Sequence, residues 1–284
     1  MINGTRYRLS AEINRQADLA KDIAKIQAQI ATRKRIQAPS DDPVGAAQLA
    51  GIVRSQGDEE AWTRNLGTAG AISDGAFNVL GTLMTRIDRA SELLTSVNGS
   101  TSVEGRVAIA AELNEIAAEI EALALARDVR GEPIFRSGSQ LEIPVGPDLR
   151  ITPALGREQA FGPIVTAGGP MDLAAIVRSA ATAATVSDAT ARQAALDASR
   201  DAMEIALSHT TRVRAEQSIR GTRIASLEES MANSSLVLSE QRMAVEETDL
   251  VRAIARLEAT KLSLDAAQAV FARVNQTSLF DLLR

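Results

Sequence analysis

Apolar residues recur along this 284-residue chain at helical spacing, and the strictest run lies near its end. Leu250, Leu257, Leu264 and Phe271 stand seven residues apart, with Ile254, Ala267 and Val274 between them at steps of three or four. That repeat is the a/d seam of a coiled coil, an apolar stripe that needs a second helix to cover it. Neither Gly nor Pro interrupts residues 240–284, and helix formers such as Glu258, Ala259, Lys261 and Gln268 fill the outer positions. From Thr5 to Arg35 a second stripe runs through Leu9, Ile13, Leu19, Ile23, Ile26 and Ile30, and it is the natural partner for the first.

Pro39 and Pro43 break the N-terminal helix. Asp42 before Pro43 predicts a new helix start: the carboxylate can accept first-turn amides, and Pro at the first helical position forfeits no hydrogen bond. The Asp41, Asp42, Pro43 group is read as a cap and turn rather than a metal or acid–base site, because no third ligand is near. Two long helices follow, marked by Ala69, Ile72, Ala76, Val79, Leu83, Ile87, Ala90, Leu94 and Val97, and then by Val103, Val107, Ala110, Leu113, Ile116, Ile120 and Leu123. The Asn98-Gly99-Ser100 turn between them predicts antiparallel packing. From Val129 to Pro170 the texture changes, with six prolines and alternating runs around Gly146-Pro147-Asp148 that predict a small β hairpin. Gly168-Gly169-Pro170 reads as a turn. Helical signals resume at Met171-Asp172, pause near Val186 to Asp188, and continue from Ala189 to about Gln241. Gly221 inside that helix costs on the order of 1 kcal/mol relative to Ala, and close helix packing is its expected compensation.

The predicted fold is therefore mainly α: an elongated helical rod of long antiparallel helices, with paired N- and C-terminal coiled-coil helices and a small β-rich insertion. The expected domains are 1–38 with 241–284 for the terminal coiled coil, 39–130 with 171–240 for the rod, and 131–170 for the insertion.

Composition sharpens this picture. Aromatics are only 2%, so slender helices packed through Ala, Leu, Ile and Val fit better than a bulky centre. There is no Cys, which removes disulfides, thiolate metal sites and cysteine nucleophiles. The single histidine, His209, has no second His or Ser/Asp constellation for company and reads as a boundary residue. Glu112, Glu115 and Glu119 share a helix face, but carboxylate-bridged metal centres in bundles need Glu-x-x-His elements, so a solvated face is expected. No catalytic residue, metal or cofactor is predicted. Met1 to Leu19 lacks the continuous apolar run of a secretory signal, and no stretch approaches a membrane span, so neither a signal peptide nor membrane insertion is expected. The net charge of -5 hides an asymmetry: residues 1–36 hold eight Lys or Arg against three acids, over an acidic body. The basic segment lacks interleaved aromatics beyond Tyr7, which argues against nucleic acid.

The block Arg35-Ile36 through Pro39-Ser40-Asp41-Asp42-Pro43-Val44-Gly45-Ala46-Ala47 resembles the N-terminal signature of the bacterial flagellin family. Arg212 to Glu228, with Gly221 before Arg223 and Leu227, is similar to that family's C-terminal rod helix. Glu247 to Leu257, Ala269 to Val274 and the Ser278-Leu279-Phe280-Asp281-Leu282-Leu283 ending resemble its hook-filament junction branch in particular. The resemblance is clear over the N-terminal helix and the last third, and the middle matches in kind. Arg284 and the short insertion are shared with small filament flagellins, which are the alternative within the family; a cytoplasmic helical adaptor is the alternative outside it. The resemblance implies a non-enzymatic subunit of the flagellum, exported through the flagellar channel to the cell exterior. It implies as partners the chain itself, a neighbouring hook-associated protein, flagellin, and an export chaperone on the C-terminal helix. One seam cannot by itself offset the entropy of ordering two long helices, so the terminal pair is expected to depend on neighbouring subunits for further apolar cover.

Overall fold

The computed structural model describes residues 2–97, 99 and 101–281; within that range the side chains of 2–6, 8, 9 and 274–281 stand outside the description. Seven helices and two small hairpins make up the described chain. In order they are α1 (Ile2–Thr32), α2 (Pro43–Ser96), α3 (Val103–Ala124), β1 (Ile143–Pro144), β2 (Arg150–Ile151), α4 (Arg157–Phe161), β3 (Ile164–Thr166), β4 (Gly169–Met171), α5 (Leu173–Thr185), α6 (Ala189–Glu246) and α7 (Leu250–Asp281). They form two compact units: one from Met1–Gly57 with Ser234–Arg284, the other from Asp58–Asn233. Helices α2 and α6 contribute to both.

The starts of α2, α3, α5, α6 and α7 share one device, a short polar side chain that accepts a first-turn amide. Asp42 Oδ1 accepts from the Gly45 amide at 2.9 Å, Ser102 Oγ from Gly105 at 3.0 Å, Asp172 Oδ1 from Ala175 at 2.7 Å, Asp188 Oδ1 from Ala191 at 2.7 Å and Asp249 Oδ1 from Arg252 at 3.0 Å. The cap expected of Asp42 is present, and four more starts obey the same rule.

In the second unit α2 and α3 run antiparallel, as Arg86–Glu119 at 2.7 Å and Arg89–Glu112 at 2.8 Å show by their crossed numbering. Glu112 and Glu119 stay exposed, as a solvated face requires, while pairing with arginines of α2. Apart from Val79 and Leu123, which are half-buried, and Val103 and Val107, which are exposed, the periodic residues of both helices fill one continuous core. α5 packs on α3, and eight of its residues are buried. Gln217 of α6 is fully buried and ties three elements together: its Nε2 donates to Ser73 Oγ of α2 at 3.0 Å and to Pro153 O at 2.8 Å, and its Oε1 accepts from the Leu155 amide at 3.3 Å. Next to it the Arg214 guanidinium lies over the Phe77 ring at 4.9 Å. A Cβ on Gly221 would meet Ser73 Oγ at 3.5 Å, an ordinary contact, so the expected demand for close packing is mild there.

The predicted hairpin pairs Ile143 with Ile151 and Pro144 with Arg150. A second hairpin, β3–β4, turns at Ala167-Gly168, and Gly169 takes φ 103, a conformation that only Gly adopts cheaply. Between the hairpins α4 seats Phe161 edge-on against Phe135, with ring centroids 5.1 Å apart.

Candidate assembly interface

The stretch with the strongest pattern forms the helix pair of the first unit. α1 and α7 pack along their length, and the covered positions repeat at four and three on both helices. On α1 they are Glu12, Gln16, Leu19, Ile23, Ile26 and Ile30; on α7 they are Ala253, Leu257, Thr260, Leu264, Ala267 and Phe271. Both sets are heptad seams. Leu19, Ile23, Ile26, Ile30, Leu257, Leu264 and Phe271 sit where the repeat placed them. Ile13, Leu250 and Ile254 do not, being 51%, 36% and 47% exposed. Ile13 lies about 100° around α1 from Glu12, so in-register polar residues take the seam while the isoleucine points elsewhere. Ile254 is displaced in the same way by Ala253, and Leu250 lies in the first turn of α7. The side chains of Leu9 and Val274 fall outside the described residues, as do Asn98 and Ser100 of the expected turn and Leu282 to Arg284 of the chain ending.

At its base the pair is fastened by a clasp. Arg33 takes φ 58, and the chain then bridges antiparallel to the α6–α7 connection: Thr248 N donates to Arg33 O at 3.0 Å and Arg35 N to Glu246 O at 2.7 Å. Arg35 reaches Asp42 Oδ2 at 2.9 Å and Val245 O at 3.1 Å. Lys25 pairs with Asp41 Oδ1 at 2.8 Å, whose Oδ2 accepts the Gln37 and Ala38 amides at 3.1 Å. Glu246 receives Lys34 on one oxygen and Arg242 Nε on the other at 2.8 Å. These bonds act on the carboxyl groups in one direction. Lys25 and then the loop amides hold Asp41 below the usual range, the Gly45 amide and then Arg35 hold Asp42 low, and Lys34 with Arg242 do so for Glu246. Gly45 leaves room for all this, since a Cβ there would stand 2.6 Å from Asp42 Oδ2 and 2.7 Å from Ile36 Cδ1.

No protein-family model matches the sequence, nor does any curated protein. Solved structures do match. A Vibrio parahaemolyticus protein assigned as flagellar hook-associated aligns with a TM-score of 0.64 at 15% identity, over 72% of this chain and 99% of that one. FlgL of Xanthomonas campestris aligns at 0.57 and 14%, over 67% and 99%. The flagellar junction protein FlgL of Legionella pneumophila aligns at 0.55 and 12%, over 70% and 100%. The chain has the flagellar hook-associated fold.

Within this fold the clasp gives the Pro39–Ala47 block a physical content. Asp42 both caps α2 and receives Arg35, Asp41 ties its own loop to α1, and Gly45 is small because Asp42 and Ile36 press on it. Arg35, Glu246 and Gly45 were not singled out from sequence as parts of a site; the basic run Lys34-Arg35 beside Asp41-Asp42 was their one signal. Among the described residues no three His, Cys, Asp or Glu side chains cluster as a metal site, and no helix is long and apolar enough to cross a membrane. His209 bridges two elements: Nε2 lies 3.2 Å from Ala160 O and Nδ1 2.9 Å from Arg212, and burial pushes its pKa down.

Proposed function

We propose that the chain is a structural subunit of the bacterial flagellum, seated where hook meets filament and joining them by self-association and by contact with neighbouring axial proteins. One observation carries this reading. In the first unit only Ile26, Ile36 and Ala253 are buried hydrophobics among the described residues, while Tyr7, Val251, Leu262 and Val270 are more than 60% exposed. A helix pair so thinly covered gains its missing burial from other subunits. The likeness to hook-associated and junction proteins supports the location. The same reading makes the subunit non-enzymatic, exports it through the flagellar channel to the cell exterior, and gives it a hook-associated neighbour, flagellin, and a chaperone that holds the C-terminal helix before export. Leu9, Ile13, Leu19, Ile23, Ile26 and Ile30 with Leu250, Ile254, Leu257, Leu264, Phe271 and Val274 form the assembly surface.

Electron microscopy of a deletion strain tests the location: hooks without filaments, with flagellin secreted into the medium, are expected. A strain without filaments that also secretes no major subunit would identify the chain as flagellin instead. Replacing Leu257 and Leu264 together by Asp should leave the second unit folded and abolish incorporation into the flagellum. Normal incorporation of that variant overturns the assembly role.

A further inference from the structure

The loop 127–134 walls one side of an open, mainly apolar groove on the second unit. Gly67, Thr68, Ala71 and Gly75 of α2 line it with Ile134 beside them, and it encloses about 510 Å³. The loop is firmly held: Asp128 N donates to Glu132 O at 2.8 Å, Asp128 Oδ1 accepts the Arg130 and Glu132 amides at 2.9 Å, and Ile134 N donates to Ala126 O at 3.0 Å. That framework leaves Val129 at the rim 99% exposed, an apolar side chain that its own unit does not cover.

Three arginines ring the groove. Arg64 pairs along its own helix with Glu60 at 3.1 Å, Arg127 Nη1 donates to Gly131 O at 2.6 Å, and Arg130 Nε stands 3.4 Å from Asp128 Oδ2. Asp128 is committed to its own loop, so the rim presents positive charge outward. The unit around it is acidic, with 24 Asp or Glu against 16 Arg over residues 58–233, and a second copy therefore brings the charge that this rim lacks. α3 carries the matching surface. Glu104, Val107, Ala108, Ala111 and Glu115 share one helix face, and all are exposed. Among the described residues Glu104 and Glu115 form no ion pair, whereas Glu112 and Glu119 are taken by α2. Arg64 and Gly75 stand eleven positions apart, as do Glu104 and Glu115, which is about 16–17 Å along either helix.

We propose that the groove is a docking site for a second copy of this chain, whose α3 lays Val107, Ala108 and Ala111 against Thr68, Ala71 and Gly75 while Glu104 and Glu115 meet the arginine rim. The two surfaces differ, so the contact is heterologous: each copy gives its α3 and receives another's. It rests on the self-association proposed above and assigns to the second unit a share in it, apart from the α1/α7 pair.

The chain has no cysteine, which makes an engineered cross-link unambiguous. Full-length Ala71→Cys and Ala111→Cys chains, mixed and oxidised at high concentration, should form a mixed disulfide several-fold faster than Ala71→Cys with Val165→Cys, a control on the β3–β4 hairpin; all three positions are exposed. A Cβ on Gly67 would meet nothing within 4 Å, so Gly67→Leu fills the groove and spares the fold. Added to the Ala71→Cys chain, it should remove that excess without lowering the Tm. Arg127→Glu with Arg130→Glu should remove it too, and Glu104→Arg with Glu115→Arg on the other chain should restore it. Equal rates for the two mixtures, or undiminished cross-linking by the Gly67→Leu chain, overturn the docking. In sheared flagella, an Ala71→Cys cross-link to a different protein, with none to Ala111→Cys, overturns the second copy as occupant. A chain that forms the mixed disulfide in solution but is absent from flagella supports the docking and refutes the location, so the two readings fail separately.

Discussion

Helices α5 and α7 have similar chemistry and opposite fates. Eight of the thirteen residues of α5 are buried, whereas Ala253 alone is buried among the described side chains of the 32-residue α7. Burying Leu173, Ile176 and Val177 contributes about 1.5–3 kcal/mol each and the buried alanines less, so α5 is held by its own chain and α7 largely is not. The lesson concerns the units they belong to. The second unit carries nearly all the buried hydrophobic side chains and is a conventional core. The first spends its apolar residues on exposed faces and relies on backbone bridges and charges to keep its shape.

The hardest test of this contrast compares one leucine in each unit. Leu83 is fully buried, and Leu83→Ala should cost about 2–5 kcal/mol in denaturant unfolding. Leu264→Ala, half-buried, should move that transition much less while weakening assembly severely; equal losses of stability would erase the distinction. Next in size is Gln217→Ala. It strands the Leu155 amide, the Pro153 carbonyl and the Ser73 hydroxyl, at about 1–3 kcal/mol for a buried group left unpaired. Amide exchange should then rise in the insertion and leave α1 and α7 as before.

Gly45→Ala should cost about 1–3 kcal/mol by overpacking, because its new methyl group meets the Asp42 carboxylate and Ile36. Faster exchange at the Arg35 and Thr248 amides, with no change in α3 or α5, is the expected signature. The smallest effects come from pH, and they separate the units. Burial lowers the pKa of His209, so the folded second unit keeps it neutral; that contribution is whole above about 6.5 and is lost as pH falls through the lowered value. Asp41, Asp42 and Glu246 are also lowered, from 3.8, 3.8 and 4.5, so their support of the clasp is present above that range and fades as pH drops through their folded values. A titration by NMR should find the His209 change first and the loss of protection at Arg35 only in stronger acid. The reverse order would contradict the assignment.

Much of this architecture was legible because helical periodicity needs no context. The seam residues from Leu19 to Ile30 and from Leu257 to Phe271 follow from spacing alone, as do the core faces of α2 and α3 and the first hairpin. The seam's outer half did not, because Glu12 and Gln16 are polar and a search for apolar repeats passes to Ile13 instead. Asp172, Asp188 and Asp249 could have been read as caps by the rule that found Asp42. Gln217 could not: a single glutamine on a long polar-rich helix is indistinguishable from a surface residue until the insertion closes over it. The clasp lay hidden for a similar reason, since Arg35 and Val245 are 210 residues apart and meet only in three dimensions.

That separation also sets a schedule. α1 is complete early in the chain, but α7, the helix that covers it, lies far along the sequence, and loops this long close late and slowly. A chain made from its N-terminus can therefore build the core of the second unit while the α1/α7 pair is still unfinished. The surface proposed to join subunits comes into existence only once α7 has met α1.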